Sequence, residues 1–283
     1  MSKFWLRPLI AVSALAGLLS QAPQALAAAD EAAIKELVLK IAKNDADALK
    51  QLQNLADKGD MVAQDRLGLI YLAGQGVPVD YTLAQKWLFA SAVQHYAQAE
   101  SHIAYMYGAG IGTDKDEKSA IEWYQRACDH NNFDSCFNLA LTFDKGSDDV
   151  KKDPQRAEAL YRKAAEGGVA VAQVDLGTLY FGTDGHKKDL TEAYRWITKA
   201  AEAGNASAMY ALGERYKRGF DTPVDNAKAL AWYKKAVDAG NWMSAGVISE
   251  AYKSGTMGLE KDKDKSDEWY KKFIDLQMKK NQH

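Results

Sequence analysis

Active-site motifs are missing from this chain. No serine beyond residue 29 is followed three positions later by lysine, and Lys-Thr-Gly, Gly-x-Ser-x-Gly and His-Glu-x-x-His do not occur. A serine β-lactamase needs that lysine one turn after its nucleophile, so serine acyl-transfer chemistry of this type has no carrier here. The five histidines (His95, His102, His130, His186, His283) show no paired ligand spacing, and His95 and His102 read as surface imidazoles. We therefore expect no enzyme, no metal and no cofactor. No basic block exists either. Removing Lys3 and Arg7 with the first 29 residues takes 36 basic residues to 34, against 38 acidic ones, a net charge of −4. That balance gives no reason to expect a nucleic-acid partner. The lysines of residues 261–280 alternate with Asp and Glu as on a solvated face, and Asp148-Asp149 reads as solubilising loop charge. Past residue 29, no stretch is apolar enough to span a bilayer.

Residues 1–29 differ in composition. Lys3 and Arg7 precede an apolar run from Pro8 to Leu19, and Ala25-Leu26-Ala27 is a small-x-small cleavage site. This reads as a secretory signal peptide cleaved after Ala27 or Ala29, with an alanine-biased bacterial character. The mature protein is expected in the periplasm or secreted, without stable membrane insertion and as a monomer.

A repeat dominates what is present. Leu67, Ile103, Leu139, Leu176, Leu212 and Ile248 follow one another at 36 or 37 residues. Tyr71, Tyr107, Phe143, Tyr180, Tyr216 and Tyr252 keep the same beat, as do Trp87, Trp123, Leu160, Trp196, Trp232 and Trp269. Six copies at one period mean a stack of helix–turn–helix units. The leucine and the aromatic four later share a face, so each first helix presents an apolar stripe. A small residue after the leucine (Gly68, Ala104, Ala140, Gly177, Gly213, Ser249) lets the partner helix approach closely. Asp80, Asp116, Asp153, Asp189, Asp225 and Asp262 stand where the second helix should begin, each a cap worth roughly 1 kcal/mol. Pro154 suits a first turn, and Glu192 imitates a capping box with Asp189.

With these residues in hand, the pattern resembles the Sel-1-like repeat, a relative of the tetratricopeptide repeat with a longer inter-helix loop. The resemblance implies an all-α, right-handed solenoid of helix–turn–helix repeats that mediates protein interaction. We divide the chain into a degenerate N-terminal capping repeat (30–60), repeats at 61–96, 97–132, 133–169, 170–205, 206–241 and 242–273, and a C-terminal tail (274–283). The cap carries the stripe Ile34, Leu37, Val38, Ile41 and then Ala48, Leu49, Leu52, Leu55.

Cys128 falls near the end of one second helix and Cys136 in the first turns of the next first helix. The chain reverses between them, so an exported protein should oxidise the pair. The run ACDHNNFDSC also resembles the secreted Helicobacter cysteine-rich proteins, whose repeats tend each to be bridged; here only one junction is. Because some of those have been linked to penicillin binding and weak β-lactamase activity, a hydrolase or binder of β-lactams or cell-wall peptides is the alternative function. In tetratricopeptide-like solenoids first helices line the concave side. By that analogy the groove residues are Leu69, Leu72, Tyr105, Phe137, Leu141, Val174, Phe181, Tyr210, Glu214 and Lys217, apolar at first and charged in the last two repeats, where Glu250 and Lys253 follow. Phe137 is expected to be a partly exposed anchor and Tyr107 a core aromatic. The expected partner is a protein or peptide.

Overall fold

The computed structural model describes residues 31–147, 149–182 and 188–280. The expected signal peptide, Asp148, His186 and His283 lie outside the described residues. Among the described residues every regular element is an α-helix. They fall into two compact units, one up to Ala99 and one from Glu100 onward.

In the first unit α1 (Glu31–Ile41), α2 (Ala46–Asp57), α3 (Met61–Ala73) and α4 (Tyr81–Ala92) follow in order. Ile34, Ile41, Leu52, Leu67, Ile70 and Trp87 are buried together, with Leu37, Val38, Leu49 and Leu55 packed at the edge. The worn N-terminal helices thus present the stripe their sequence implies. Gly76 has φ 71°, and a Cβ there would lie 2.2 Å from the Ile41 carbonyl oxygen. Only glycine lets this loop pass so close to the end of α1.

The second unit takes up α5 (Ala97–Ala109) from Glu100 and continues through α6 (Glu117–Asp129), α7 (Phe133–Lys145), α8 (Pro154–Glu166) and α9 (Ala170–Leu179). Then come α10 (Leu190–Glu202), α11 (Ala206–Arg218), α12 (Asn226–Asp238), α13 (Trp242–Ser254) and α14 (Lys263–Lys280). From α6 on, consecutive helices pack against one another.

The loop aspartates do two jobs. Each side chain accepts from the backbone N–H three residues on, as Asp80 does from Leu83 and Asp225 from Lys228. The same holds for Asp116, Asp153, Asp189 and Asp262. Each backbone N–H also donates to the carbonyl of the first-helix aromatic, from Asp80 to Tyr71 (3.0 Å) through to Asp262 to Tyr252 (3.0 Å). That second bond explains why Asp189 and Glu192 form no capping box. The Asp189 N–H is already taken by Tyr180, and the Glu192 carboxylate binds Arg195 instead. Pro154 does open α8.

The small residue after the leucine is explained atom by atom. A Cβ on Gly68 would meet Leu88 at 2.7 Å, on Gly177 Ile197 at 2.9 Å, and on Gly213 Tyr233 at 2.5 Å. The repeat aromatics differ from expectation. Phe143 and Tyr180 are buried, but Tyr71, Tyr107, Tyr216 and Tyr252 are only half-buried. Cations cover two of these four rings, Lys228 over Tyr216 at 5.4 Å and Lys265 over Tyr252 at 5.6 Å.

The position three before the repeat leucine links successive helices. Gln64 and Gln173 donate from Nε2 to the carbonyls of Ala56 and Ala165, eight residues back. Cys136, at the same position, is bonded to Cys128, also eight residues back, and both sulfurs are buried. Glu100, again at this position and buried, lies 2.7 Å from His130 Nδ1, thirty residues on. Gln94 serves Gln64 Oε1 over the same separation. In repeat four that place is Ala203, and Gln173 Oε1 has no partner among the described residues.

Candidate interaction surface

The candidate surface residues lie one turn either side of the buried leucines. On α5, Ile103 and Ala104 are buried while Tyr105 is 54% exposed. On α7, Phe137 and Leu141 are half-buried against a cluster holding Leu139, Ala140 and Tyr161. Val174 on α9 and Phe181 just after it are half-buried against Tyr194, Ile197 and Leu212. Tyr210 on α11 is likewise half-buried. In the first unit Leu69 and Leu72 on α3 are half-buried too. Only Tyr105 is mainly free. The others rest one side on the core and show the other, as a helix-face residue beside the buried stripe must.

Their supports were missed in the sequence. Phe137 packs on Tyr161 with ring centroids 5.9 Å apart, and Tyr210 on Tyr233 at the same distance. Phe181 meets Tyr194 edge-on at 5.3 Å. Tyr161 and Tyr233 occupy one second-helix position, the residue after the repeat Trp or Leu. That position (Leu88, Tyr124, Tyr161, Ile197, Tyr233, Tyr270) was the available signal.

Each buried phenol needs a partner at its polar end. Tyr161 Oη donates to Asp144 Oδ2 at 3.2 Å, and Tyr233 Oη to Glu214 Oε1 at 2.5 Å. Burial pushes both phenols well above the usual range, and the adjoining carboxylates push them further. Asp175 is raised as well, by burial first and then by the Asp144 charge. Burial alone would raise Glu214, but the Tyr233 hydroxyl, Lys217 and Arg218 outweigh it and hold the carboxyl low. Glu214 accepts from Arg218 Nε at 2.6 Å and lies 3.6 Å from Lys217 Nζ. So Glu214 is part of the fold's own polar network as much as a surface charge. Open space lies further on: clefts at α13 and α14 are lined by Trp242, Met243 and Phe273, which the sequence reading did not single out.

Comparison with known proteins follows the same period. The Sel1 repeat model matches residues 62–92, 97–132, 133–169, 170–205, 206–241 and 245–278. The fold is similar to a protective antigen of uropathogenic Escherichia coli, described as displaying an SLR fold (28% identity, TM-score 0.73, 86% of this chain and 53% of that one). It is also similar to a Sel1 repeat protein from Oxalobacter formigenes (29% identity, TM-score 0.71, 86% of this chain and 99% of that one). A putative sel1-like repeat-containing protein of Acanthamoeba polyphaga mimivirus is 32% identical over 43% of this chain and 22% of its own length. The chain spans less than half the length of the curated relatives it matches.

Proposed function

This chain belongs to the Sel1 repeat family, an all-α solenoid scaffold for protein–protein interaction, and on that premise we propose that it is an exported module binding a protein or peptide through its first-helix wall. The observation that carries the reading is the exposure pattern in the second unit. Tyr105 stands out at 54% exposure and Phe137, Leu141, Val174 and Phe181 stay half-open, although each lies within five residues of a fully buried repeat position. Apolar surface left half-open on several consecutive repeats, and held there by ring contacts, suits anchors that lose their remaining water on binding.

Sel1 repeat proteins are generally non-enzymatic scaffolds, and the family match lends the β-lactam hydrolase alternative no support. The Lys3/Arg7 start, the apolar run and the alanine cleavage sites support export to the periplasm or beyond. The single cysteine pair, joined in the structure, agrees with an oxidising compartment. No helix among the described residues is long and apolar enough to cross a membrane. The mildly acidic charge favours a protein partner over nucleic acid, and we take the working form to be a monomer.

Crosslinking capture from envelope extract tests the reading. Wild-type protein should retain a discrete partner that Tyr105→Ala combined with Leu141→Ala loses. If the double variant retains every captured protein, this wall is not the binding surface. Fractionation with and without residues 1–29 tests export, and a cytoplasmic full-length product would refute it.

A further inference from the structure

Three residues around the start of α5 depart from the repeat, and the departures meet. The residue three before the repeat leucine is a glutamine in repeats one and four, Gln64 and Gln173, but here it is Glu100. Thirty residues on, where Gln94 serves Gln64 and repeat four has Ala203, stands His130, the residue that ends α6. The third is His95, in the turn that leads into α5. It holds φ 63° where the counterparts Gly168, Gly204 and Gly240 are glycines at 94°, 95° and 92°. A side chain is uncommon in that left-handed conformation, and here it is an imidazole.

Glutamine at the Glu100 position brings no charge inside. Glu100 does, with 1% of its surface exposed. Buried carboxylates are paired or hold a metal. The partner on hand is His130 Nδ1 at 2.7 Å, part of an imidazole that is 37% exposed and charged only when protonated. One ligand atom from each of His95, Glu100 and His130 lies within 4.8 Å of the other two. Imidazole nitrogens suit zinc and disfavour calcium and magnesium, which take oxygen. Two imidazoles and a carboxylate are a zinc set with a fourth position open to water or to a partner's side chain. Tetrahedral zinc, with bonds of about 2.1 Å, holds its ligand atoms roughly 3.4 Å apart. Glu100 and His130 are already that close, and the exposed His95 closes the remainder by rotating about its side-chain bonds. The buried carboxylate anchors the ion, and the two exposed imidazoles leave it a path in from solvent.

We propose that His95, Glu100 and His130 bind one zinc ion. This reverses the expectation of no metal: His95 joins a histidine of the next repeat, not His102, so no ligand spacing along one helix announces the set. The site stands whether or not the first-helix wall binds a peptide.

Isothermal titration of the full chain, purified without a histidine tag and stripped with EDTA, tests this with zinc chloride as the probe. One zinc per chain should bind, and the thermal midpoint should rise with zinc and return with EDTA. His95→Ala, Glu100→Gln and His130→Ala should each weaken the affinity at least tenfold, and His102→Ala should leave it unchanged. Glu100→Gln installs the residue that Gln64 and Gln173 already are at this position, so without metal its midpoint should hold or rise and its loss of zinc is not a loss of fold. Magnesium should not compete. Absence of saturable binding overturns the proposal. So does an affinity that any one of the three substitutions leaves unchanged, or an equal loss in His102→Ala.

Discussion

Gly213→Ala and Gly108→Ala are one substitution made in two first helices, and they should move stability in opposite directions. Alanine inside a helix is favoured over glycine by about 1 kcal/mol. At Gly108 the new Cβ would find Ala120 Cβ at 3.5 Å, an ordinary contact, so the gain is kept. At Gly213 it would lie 2.5, 2.6 and 2.9 Å from Cε1, Cδ1 and Cζ of Tyr233. That ring cannot swing aside: it is fully buried, packs on Tyr210, and its hydroxyl is held by Glu214. Overpacking a tight core costs about 1–3 kcal/mol, and a rigid ring puts this case at the upper end. Less the helix gain, Gly213→Ala should lose about 2 kcal/mol and Gly108→Ala should gain about 0.5–1 kcal/mol. Urea denaturation followed by far-ultraviolet circular dichroism reads both. In repeat three the corresponding pair is Ala140 and Tyr161. If α11 and α12 could relax to accept Ala opposite Tyr, Gly213→Ala would be neutral or stabilising, and the reasoning from close approach would be refuted.

Cys128→Ser should lower stability by about 2–3 kcal/mol, because the bridge closes a short loop with a sequence separation of 8, while the helical spectrum persists; non-reduced peptide mapping that finds both thiols free in exported protein would contradict this. Phe137→Ala should cost about 1–2 kcal/mol of stability, between a surface and a core truncation, since one face rests on Tyr161; a loss matching the roughly 3–5 kcal/mol of a buried aromatic would make it core and remove it from the wall. Glu214 is held below its ordinary value of 4.5, so its stabilisation is complete above that pH and is lost as pH falls through the lower folded value; urea midpoints from pH 7 to 3 should fall more steeply for wild type than for Glu214→Gln, and parallel profiles would refute the assignment. Ala203→Gln should give Gln173 Oε1 the partner that Gln94 gives Gln64, raising stability by about 0.5–1.5 kcal/mol; no change in the urea midpoint would show that the two junctions are not equivalent.

Periodic, local information was legible in the chain. The repeat leucines, the small residue after them, the capping aspartates and Pro154 act within one helix pair, so their spacing carries their role. The Cys128–Cys136 bond was legible for the same reason, its two ends lying at one reversal of the chain. The half-exposure of Phe137, Leu141 and Val174 follows from helix geometry beside a buried stripe.

What the tertiary structure alone decided concerns contacts between side chains that no period announces. Tyr161 and Tyr233 lie inside because Asp144 and Glu214 receive their hydroxyls, and those carboxylates come from a different helix. The aromatic at the end of the first helix matters through its carbonyl, which the capping aspartate's N–H closes in all six copies, so a half-buried ring such as Tyr107 is compatible with a constant loop. The end of the chain that reads as merely charged holds clefts lined by Trp242, Met243 and Phe273, and the Phe273 ring of α14 comes this close only because Gly246 has no side chain. Spacing along one helix shows which residues share a face. Whether that face is filled, shared or left open depends on the size and charge of what the neighbouring helix sets against it.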